Sequence, residues 1–162
     1  MIRRGRNGSR IRFSGDTRRI DYGELNMDVE GLRKICLSFP GASEQIQWGD
    51  DLLFKVGGKM FAVIPLEPAA VWLSLKTTPE LFAEFTERPG IIPAPYLARA
   101  KWIALESSDA VSAGELSGLL RMSYDLVVQR LPRKVKESLS QPTAKARKQK
   151  SQSQPAHKKR RR

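Results

Sequence analysis

The 162-residue chain carries 29 Lys and Arg against 17 Asp and Glu, and its 40% apolar content is enough for one domain with a real core. No run of about 18 apolar residues occurs, which excludes a transmembrane helix, and no apolar segment follows the N-terminal arginines, which argues against a secretory signal peptide. The single cysteine, Cys36, excludes an internal disulfide and a cysteine-based zinc site, so we expect a cytoplasmic protein.

The charge is distributed unevenly along the chain. Residues 1–26 hold seven basic and three acidic residues, residues 27–132 hold ten and thirteen, and residues 133–162 hold twelve and one. Their net charges are therefore +4, −3 and +11. This pattern predicts a disordered basic N-terminal extension, a mildly acidic folded domain and a disordered Lys/Arg-rich tail. We expect the extension to be dispensable for folding, and a start codon upstream of Met27 would account for it.

Three helices are predicted from capping signals. Asp28 and Thr78 are good N-cap residues for the first two, and Ser112 forms a capping box with Glu115 at the start of the third. Ser123 is the one polar gap in the apolar face of the third helix. The first helix shows apolar residues at i, i+3, i+4 and i+7, namely Leu32, Ile35, Cys36 and Phe39.

The strand signals predict an antiparallel sheet. Gly57-Gly58 is a hairpin signal between two apolar runs, whereas residues 88–95 contain three prolines and are predicted to form a turn or loop. Strands are predicted over residues 45–48, 52–56, 59–64, 71–76 and 101–106. The fold class is therefore α+β, with an antiparallel sheet of about five strands and three helices packed on one face.

The chemistry of common active sites is missing from the predicted domain. The only histidine is His157 in the tail, so the domain contains no histidine base, catalytic triad or histidine-bound metal. Cys36 on an apolar helix face fits a core thiol better than a nucleophile. Asp50-Asp51 fits a turn better than a pair of catalytic carboxylates. We therefore expect a non-enzymatic protein without a cofactor or a bound metal.

Basic residues alternate with apolar ones in the strands. If the helices cover the apolar set, Lys55, Trp72 and Lys76 lie on the open face of the sheet, and Lys59 and Lys101 at strand starts join them. Exposed lysines beside an aromatic ring suit phosphate contact and base stacking. The alternative is a solvated sheet face with one partly covered tryptophan.

The C-terminal tail predicts affinity for polyanions. Its twelve cations would attract DNA, RNA or anionic lipid by counterion release, without sequence preference. The alternative is a solubilising extension. The cations at its end are Lys158, Lys159, Arg160, Arg161 and Arg162.

Several motifs resemble the MmcQ/YjbR-like proteins, in the same order and from about Met27 to Lys134. The matching segments are residues 37–41, 48–49, 54–62, 74–76, 101–102, 123–128 and 131–134. The resemblance implies a compact fold similar to that of the frataxin-like CyaY proteins, a double-wing domain. Members of this family are small bacterial cytoplasmic proteins, often labelled as DNA-binding.

The resemblance also implies site residues and one rival function. Both tails lie outside the usual extent of the family. A frataxin-like fold suggests iron binding, but the acidic residues here do not cluster along one helix. The matching basic and aromatic positions, taken as nucleic-acid contacts, are Lys55, Lys59, Lys76, Lys101, Trp102, Arg133 and Lys134.

Together these observations predict a non-enzymatic protein that binds nucleic acid, DNA in the first place, with largely non-specific affinity from the tail and modest contacts from the sheet. Association with the nucleoid follows from that function. The alternative is a protein- or small-ligand-binding domain with an incidental tail. A positive patch around Lys55, Lys76 and Lys101 would favour the first hypothesis.

Overall fold

A computed structural model describes residues 28–141 of the chain. Its elements are α1 (Val29–Ser38), β1 (Ala42–Gln47), β2 (Asp51–Val56), β3 (Lys59–Pro65), β4 (Leu73–Lys76), α2 (Pro79–Thr86), β5 (Ile91–Pro93), β6 (Trp102–Leu105), α3 (Ala113–Gln129) and α4 (Arg133–Ser140), with a 3-10 turn at Ala98–Ala100. No helix in this part of the chain is long and apolar enough to cross a membrane.

The six strands form one antiparallel sheet in the order β1-β2-β3-β4-β6-β5. The predicted α+β class is confirmed, with one strand and one helix more than expected. The additional strand is β5, which lies inside the proline-rich stretch that was predicted as a loop. It pairs at the edge of the sheet through only three residues, so its one proline, Pro93, interrupts no central ladder.

The predicted capping residues start the three predicted helices. The Asp28 carboxylate accepts from the Gly31 N–H at 2.9 Å, and the Thr78 hydroxyl accepts from the Leu81 N–H at 3.2 Å. The Ser112 hydroxyl accepts from the Glu115 N–H at 3.2 Å. Only the Ser112 half of the capping box forms. The Glu115 carboxylate accepts from Arg88 instead of from the backbone N–H of Ser112.

The main core lies between the helices and one face of the sheet. All four helices contribute to it, and its largest fully buried side chains include Phe54, Phe61 and Phe85. Cys36 is wholly buried there, as predicted, and burial raises the pKa of its thiol. A smaller cluster covers part of the opposite face, which we call the open face. It comprises Leu53, Val63, Ala94, Trp102 and Ala104.

The prediction of disorder from Arg133 onwards is wrong for Arg133–Ser140, which form α4. Val135 and Leu139 pack against the main core, although most residues of this helix are polar. Two glycines with positive φ allow α4 and the residues before it to pack closely against the neighbouring backbone. A side chain at Gly41 would collide with Leu139, and one at Gly57 would lie 2.7 Å from the nearest Leu131 carbon. The predicted extensions over residues 1–26 and 142–162 lie outside the described residues.

Candidate functional site: the basic end of the sheet

Antiparallel pairing brings one end of four neighbouring strands together, and lysines stand at three of these strand ends. Lys59 begins β3 opposite Val56, the last residue of β2. Lys76 ends β4 opposite Trp102, the first residue of β6. The Lys101 carbonyl accepts from the Thr77 N–H at 2.8 Å, which places Lys101 beside the end of β4. The topology therefore collects lysines that are up to 42 residues apart in the sequence.

The junction between α3 and α4 adds more cations at the same end. Leu131 and Val135 lie against Gly57 in the β2–β3 hairpin, so the residues around this junction are neighbours of Lys59. The charge of Arg130 also acts on Lys76. We call this surface the basic end. Its cations are Lys59, Lys76, Arg99, Lys101, Arg130, Arg133, Lys134 and Lys136.

The opposite end of the sheet carries acidic residues. The Leu66 N–H donates to the Asp50 carbonyl at 2.8 Å, which joins the β1–β2 turn to the segment after β3. We call this surface the acidic end, and its anions are Asp50, Asp51, Glu67, Glu106 and Asp109. Residues 28–141 hold 13 basic and 14 acidic residues, so this region is close to neutral although its charges are segregated.

Lys76 is the most constrained cation of the basic end. Its Nζ donates to the Ala100 carbonyl at 2.8 Å. Partial burial lowers the pKa of its ammonium, and the nearby charge of Arg130 lowers that pKa further. The backbone N–H of Lys76 donates to the buried Ser123 hydroxyl at 2.9 Å, and that hydroxyl donates to the Phe61 carbonyl at 2.5 Å. Ser123 therefore fixes the end of β4, and with it the position of Lys76.

The other cations of this end are held more loosely. Lys101 adopts a left-handed backbone conformation, with φ 62°, and its ammonium lies 5.0 Å from the centroid of the Phe82 ring. Arg133 pairs with Glu137 at 2.7 Å on the surface of α4. Lys136 donates to the Gln129 carbonyl at the end of α3 at 2.6 Å. None of these contacts buries the charge, so the charges remain available to an anionic ligand.

Lys55 does not join the basic end, contrary to the prediction. It lies on the open face as predicted, but its Nζ donates to Gln45 at 2.9 Å and to Gln47 at 2.8 Å, on the neighbouring strand β1. The glutamines therefore direct its ammonium along β1 and away from Lys76. The sequence pattern gives the face of a strand residue, but not the direction in which a long side chain extends.

The two aromatic residues predicted as contacts do not have the open environment expected for them. Trp72 packs against the main core on the helix side, because β4 begins only at Leu73 and strand alternation does not extend to it. Trp102 does lie on the open face, but it is only 3% exposed, since Ala94 and Leu97 cover it. Neither ring is placed to stack on a base beside Lys76. The predicted cations at residues 158–162 lie outside the described part of the chain.

Sequence reasoning singled out none of four contributors to this site, namely Arg99, Arg130, Lys136 and Ser123. Arg99 and Arg130 carry no local motif, and only the tertiary structure brings them beside Lys76. Ser123 did leave a signal, as the single polar residue on the apolar face of α3. A buried hydroxyl in such a position needs hydrogen-bond partners, and here it bridges two strands.

A cleft of about 420 Å³ lies away from the basic end, between α1, β1 and β2. Arg33 lines this cleft and donates two hydrogen bonds of 2.7 and 2.5 Å to the Glu44 carboxylate and one of 2.8 Å to the Glu30 carboxylate. This pairing lowers the pKa of Glu44. The apolar part of the lining consists of Val29, Leu52 and the exposed side chains of Ile46 and Leu66.

Comparisons with known proteins agree with this fold. A Deinococcus radiodurans protein with a DUF419 domain, known from its crystal structure, is 30% identical, and the match covers 70% of this chain and 88% of that chain with a TM-score of 0.64. A Pseudomonas syringae protein of known structure is 23% identical, with a TM-score of 0.52 over 62% of this chain and 98% of that chain, which shows the fold alone. No curated protein matches this chain.

The family assignment rests on a match to the model of a protein family. The model of the YjbR family matches residues 37–126, which run from the end of α1 to the last turns of α3. The matched region thus includes the whole sheet. The segregated charges, by contrast, also involve α4, which follows the matched region. The chain belongs to the YjbR family.

Proposed function

We propose that this protein is a non-enzymatic nucleic-acid-binding protein that holds the phosphate backbone at its basic end and with its C-terminal tail. DNA is the expected ligand, bound largely without sequence preference. Such a role is consistent with a cytoplasmic protein associated with the nucleoid. The observation that carries the proposal is the segregation of charge, because it presents a positive surface on a region that is close to neutral as a whole.

The size of the basic end suits a nucleic-acid backbone. It extends across four strands, or three strand spacings of about 4.8 Å, so its width is roughly 14 Å. One strand of DNA presents a phosphate about every 3.4 Å along the axis, so this width faces about four phosphates. The acidic end repels the same backbone, which would orient the protein on it.

The tail continues from the same region of the molecule. The chain leaves the described structure at Gln141, directly after α4, and α4 packs beside the β2–β3 hairpin. Residues 142–162 contain nine Lys and Arg and no acidic residue. A tail that starts beside the basic end would add contacts to the same polyanion.

Salt dependence tests the two contributions separately. If four tail cations and three cations of the basic end contact phosphates, log affinity should fall with log salt at a slope of roughly −6, since each contact on duplex DNA contributes about −0.9. A chain that ends at Gln141 should keep a slope of roughly −3. Equal salt slopes for the full chain and for the chain that ends at Gln141 would exclude a role for the tail. Complete loss of binding by the shortened chain would exclude a role for the basic end.

Single substitutions test the location on the domain. Lys59→Ala and Arg130→Ala should each make the salt slope about one unit shallower and weaken binding to all sequences equally. Lys34→Ala is the matched control, because Lys34 is an exposed lysine of α1 outside the basic end. If the control weakens binding as much as Lys59→Ala does, net charge rather than the basic end determines the affinity.

The second candidate is a small-ligand-binding domain with an incidental tail. The cleft beside Arg33 favours it, since a volume of about 420 Å³ lies within the range of ligand pockets. Arg33 is already engaged by two carboxylates, so a ligand would contact mainly the apolar lining, in which Ile46 and Leu66 are the exposed side chains. Saturable binding of a fluorescent apolar dye, abolished by Ile46→Glu without unfolding, would support this candidate.

A further inference from the structure

Tyr96 is exposed to an unusual degree for an aromatic residue. Its side chain is fully exposed, and its backbone adopts a left-handed conformation with φ 65°. The Tyr96 ring buries no surface at this position, so it adds no hydrophobic stabilisation. A left-handed backbone is also unfavourable for any residue with a side chain. Such local strain occurs preferentially at functional positions.

The turn that carries Tyr96 is firmly held. The Leu97 N–H donates to the Ala94 carbonyl at 3.1 Å, which closes the turn around Pro95 and Tyr96. The Ala94 N–H in turn donates to the Trp102 carbonyl at 3.0 Å, and Ala94 and Leu97 pack on the open face of the sheet. Proline before a residue of positive φ is typical of a type II turn, in which glycine or asparagine usually takes the place of Tyr96.

The neighbours of this turn are cations of the basic end. The 3-10 turn Ala98–Ala100 follows directly and contains the exposed Arg99. The Ala100 carbonyl accepts from Lys76 at 2.8 Å, and Lys101 comes next in the chain. The turn that carries this accessible ring is therefore followed within five residues by Arg99, by the carbonyl that binds Lys76 and by Lys101.

An accessible ring beside cations is the arrangement that single-stranded nucleic acids use, because each unpaired base can stack on the ring while the cations hold the phosphates. Bases in a duplex are stacked on one another and offer no free face. We propose that Tyr96 is a stacking site for an unpaired base, so that the basic end prefers single-stranded to double-stranded nucleic acid. This inference rests on the proposed function and names its ligand.

The test is the affinity of the full-length protein for a labelled oligothymidine and for a duplex of equal length, at a salt concentration near 0.15 M. Tyr96→Ala should weaken single-strand binding about tenfold, because base stacking on an aromatic ring has an effect of this size. Duplex binding should change less than twofold, and Tyr96→Phe should bind the single strand like the wild type, since it keeps the ring.

Trp48→Ala is the matched control. Trp48 is also an exposed aromatic residue of positive φ in a turn, but it lies at the acidic end, next to Gly49-Asp50. The Trp48→Ala variant should bind the single strand and the duplex as tightly as the wild type does. The thermal midpoint of Tyr96→Ala should match that of the wild type, because the ring contributes no buried contact.

Two results would overturn the inference while leaving the proposed function intact. One is unchanged single-strand binding by Tyr96→Ala, and the other is an equal loss on single strand and duplex. A wild-type protein that binds neither ligand with a dependence on salt would refute the proposed function itself, and the inference with it. Loss of binding in Trp48→Ala equal to that in Tyr96→Ala would also overturn the inference.

Discussion

Removal of the Ser123 hydroxyl should destabilise the protein more than any other substitution of a polar side chain by alanine on α3. This hydroxyl accepts from the Lys76 N–H at 2.9 Å and donates to the Phe61 carbonyl at 2.5 Å. The β3–β4 ladder pairs only Ala62 with Leu75 and Val63 with Ser74, so the hydroxyl replaces the next hydrogen bond between these strands. Its loss leaves a donor and an acceptor without a partner.

The magnitude follows from the two unsatisfied groups. Each buried polar group without a partner costs about 1–3 kcal/mol, so the two groups together should lower the free energy of unfolding of Ser123→Ala by roughly 2–6 kcal/mol. Urea unfolding followed by tryptophan fluorescence measures this change. Ser117→Ala is the control, since the Ser117 hydroxyl donates to the Gly114 carbonyl of its own helix at an exposed site. It should change the free energy by less than about 0.5 kcal/mol.

A loss below about 0.5 kcal/mol in Ser123→Ala would refute this reasoning. It would show that β3 and β4 close over the gap and pair directly once the hydroxyl is gone.

Three further changes test other parts of the structure. Gly57→Ala should destabilise the protein by roughly 1–3 kcal/mol, because it places a side chain at positive φ against the α3–α4 junction, whereas Gly58→Ala meets open space and should cost less. Cys36, wholly buried and with a raised pKa, should react with a thiol reagent only as fast as the domain opens, and labelling within seconds would contradict its burial. The pKa of Glu44 is lowered by Arg33, so its stabilising effect is present above its ordinary pKa of 4.5 and is lost as the pH falls through the lowered value. The stability difference between wild type and Glu44→Gln should therefore narrow in acid, and a difference that is constant from pH 7 to pH 3 would be inconsistent with the pairing.

The helices were predictable where their signals are local. Asp28, Thr78 and Ser112 accept backbone N–H groups within three residues, so their roles depend on nearby sequence alone. Helix α4 was missed because its polar composition resembles a tail, and its two apolar residues find their partners only in the folded core, where distant glycines allow the close approach. Leu131, Val135 and Leu139 do follow one another at intervals of four, which is a helical spacing.

The candidate site was predictable only in part. Strand alternation placed Lys55 and Lys76 on the open face of the sheet, as the structure shows. It gave the wrong environment for Trp72, because β4 begins at Leu73, two residues after the predicted start. Trp102, taken as a contact from the family resemblance, is covered by Ala94 and Leu97 of the preceding loop. The exposed aromatic residue beside the lysines is Tyr96, whose exposure depends on the tight turn that carries it.

The sequence by itself determined the α+β class, the helix starts, the buried cysteine and the strong positive charge of the termini, because these depend on local spacing and composition. The tertiary structure alone decided where the charges of the domain lie. An antiparallel sheet returns the chain to the same end at every second turn, so residues far apart in sequence meet there. That geometry collects eight of the 13 cations at one end of the sheet and five of the 14 anions at the other, which gives a nearly neutral domain a basic end.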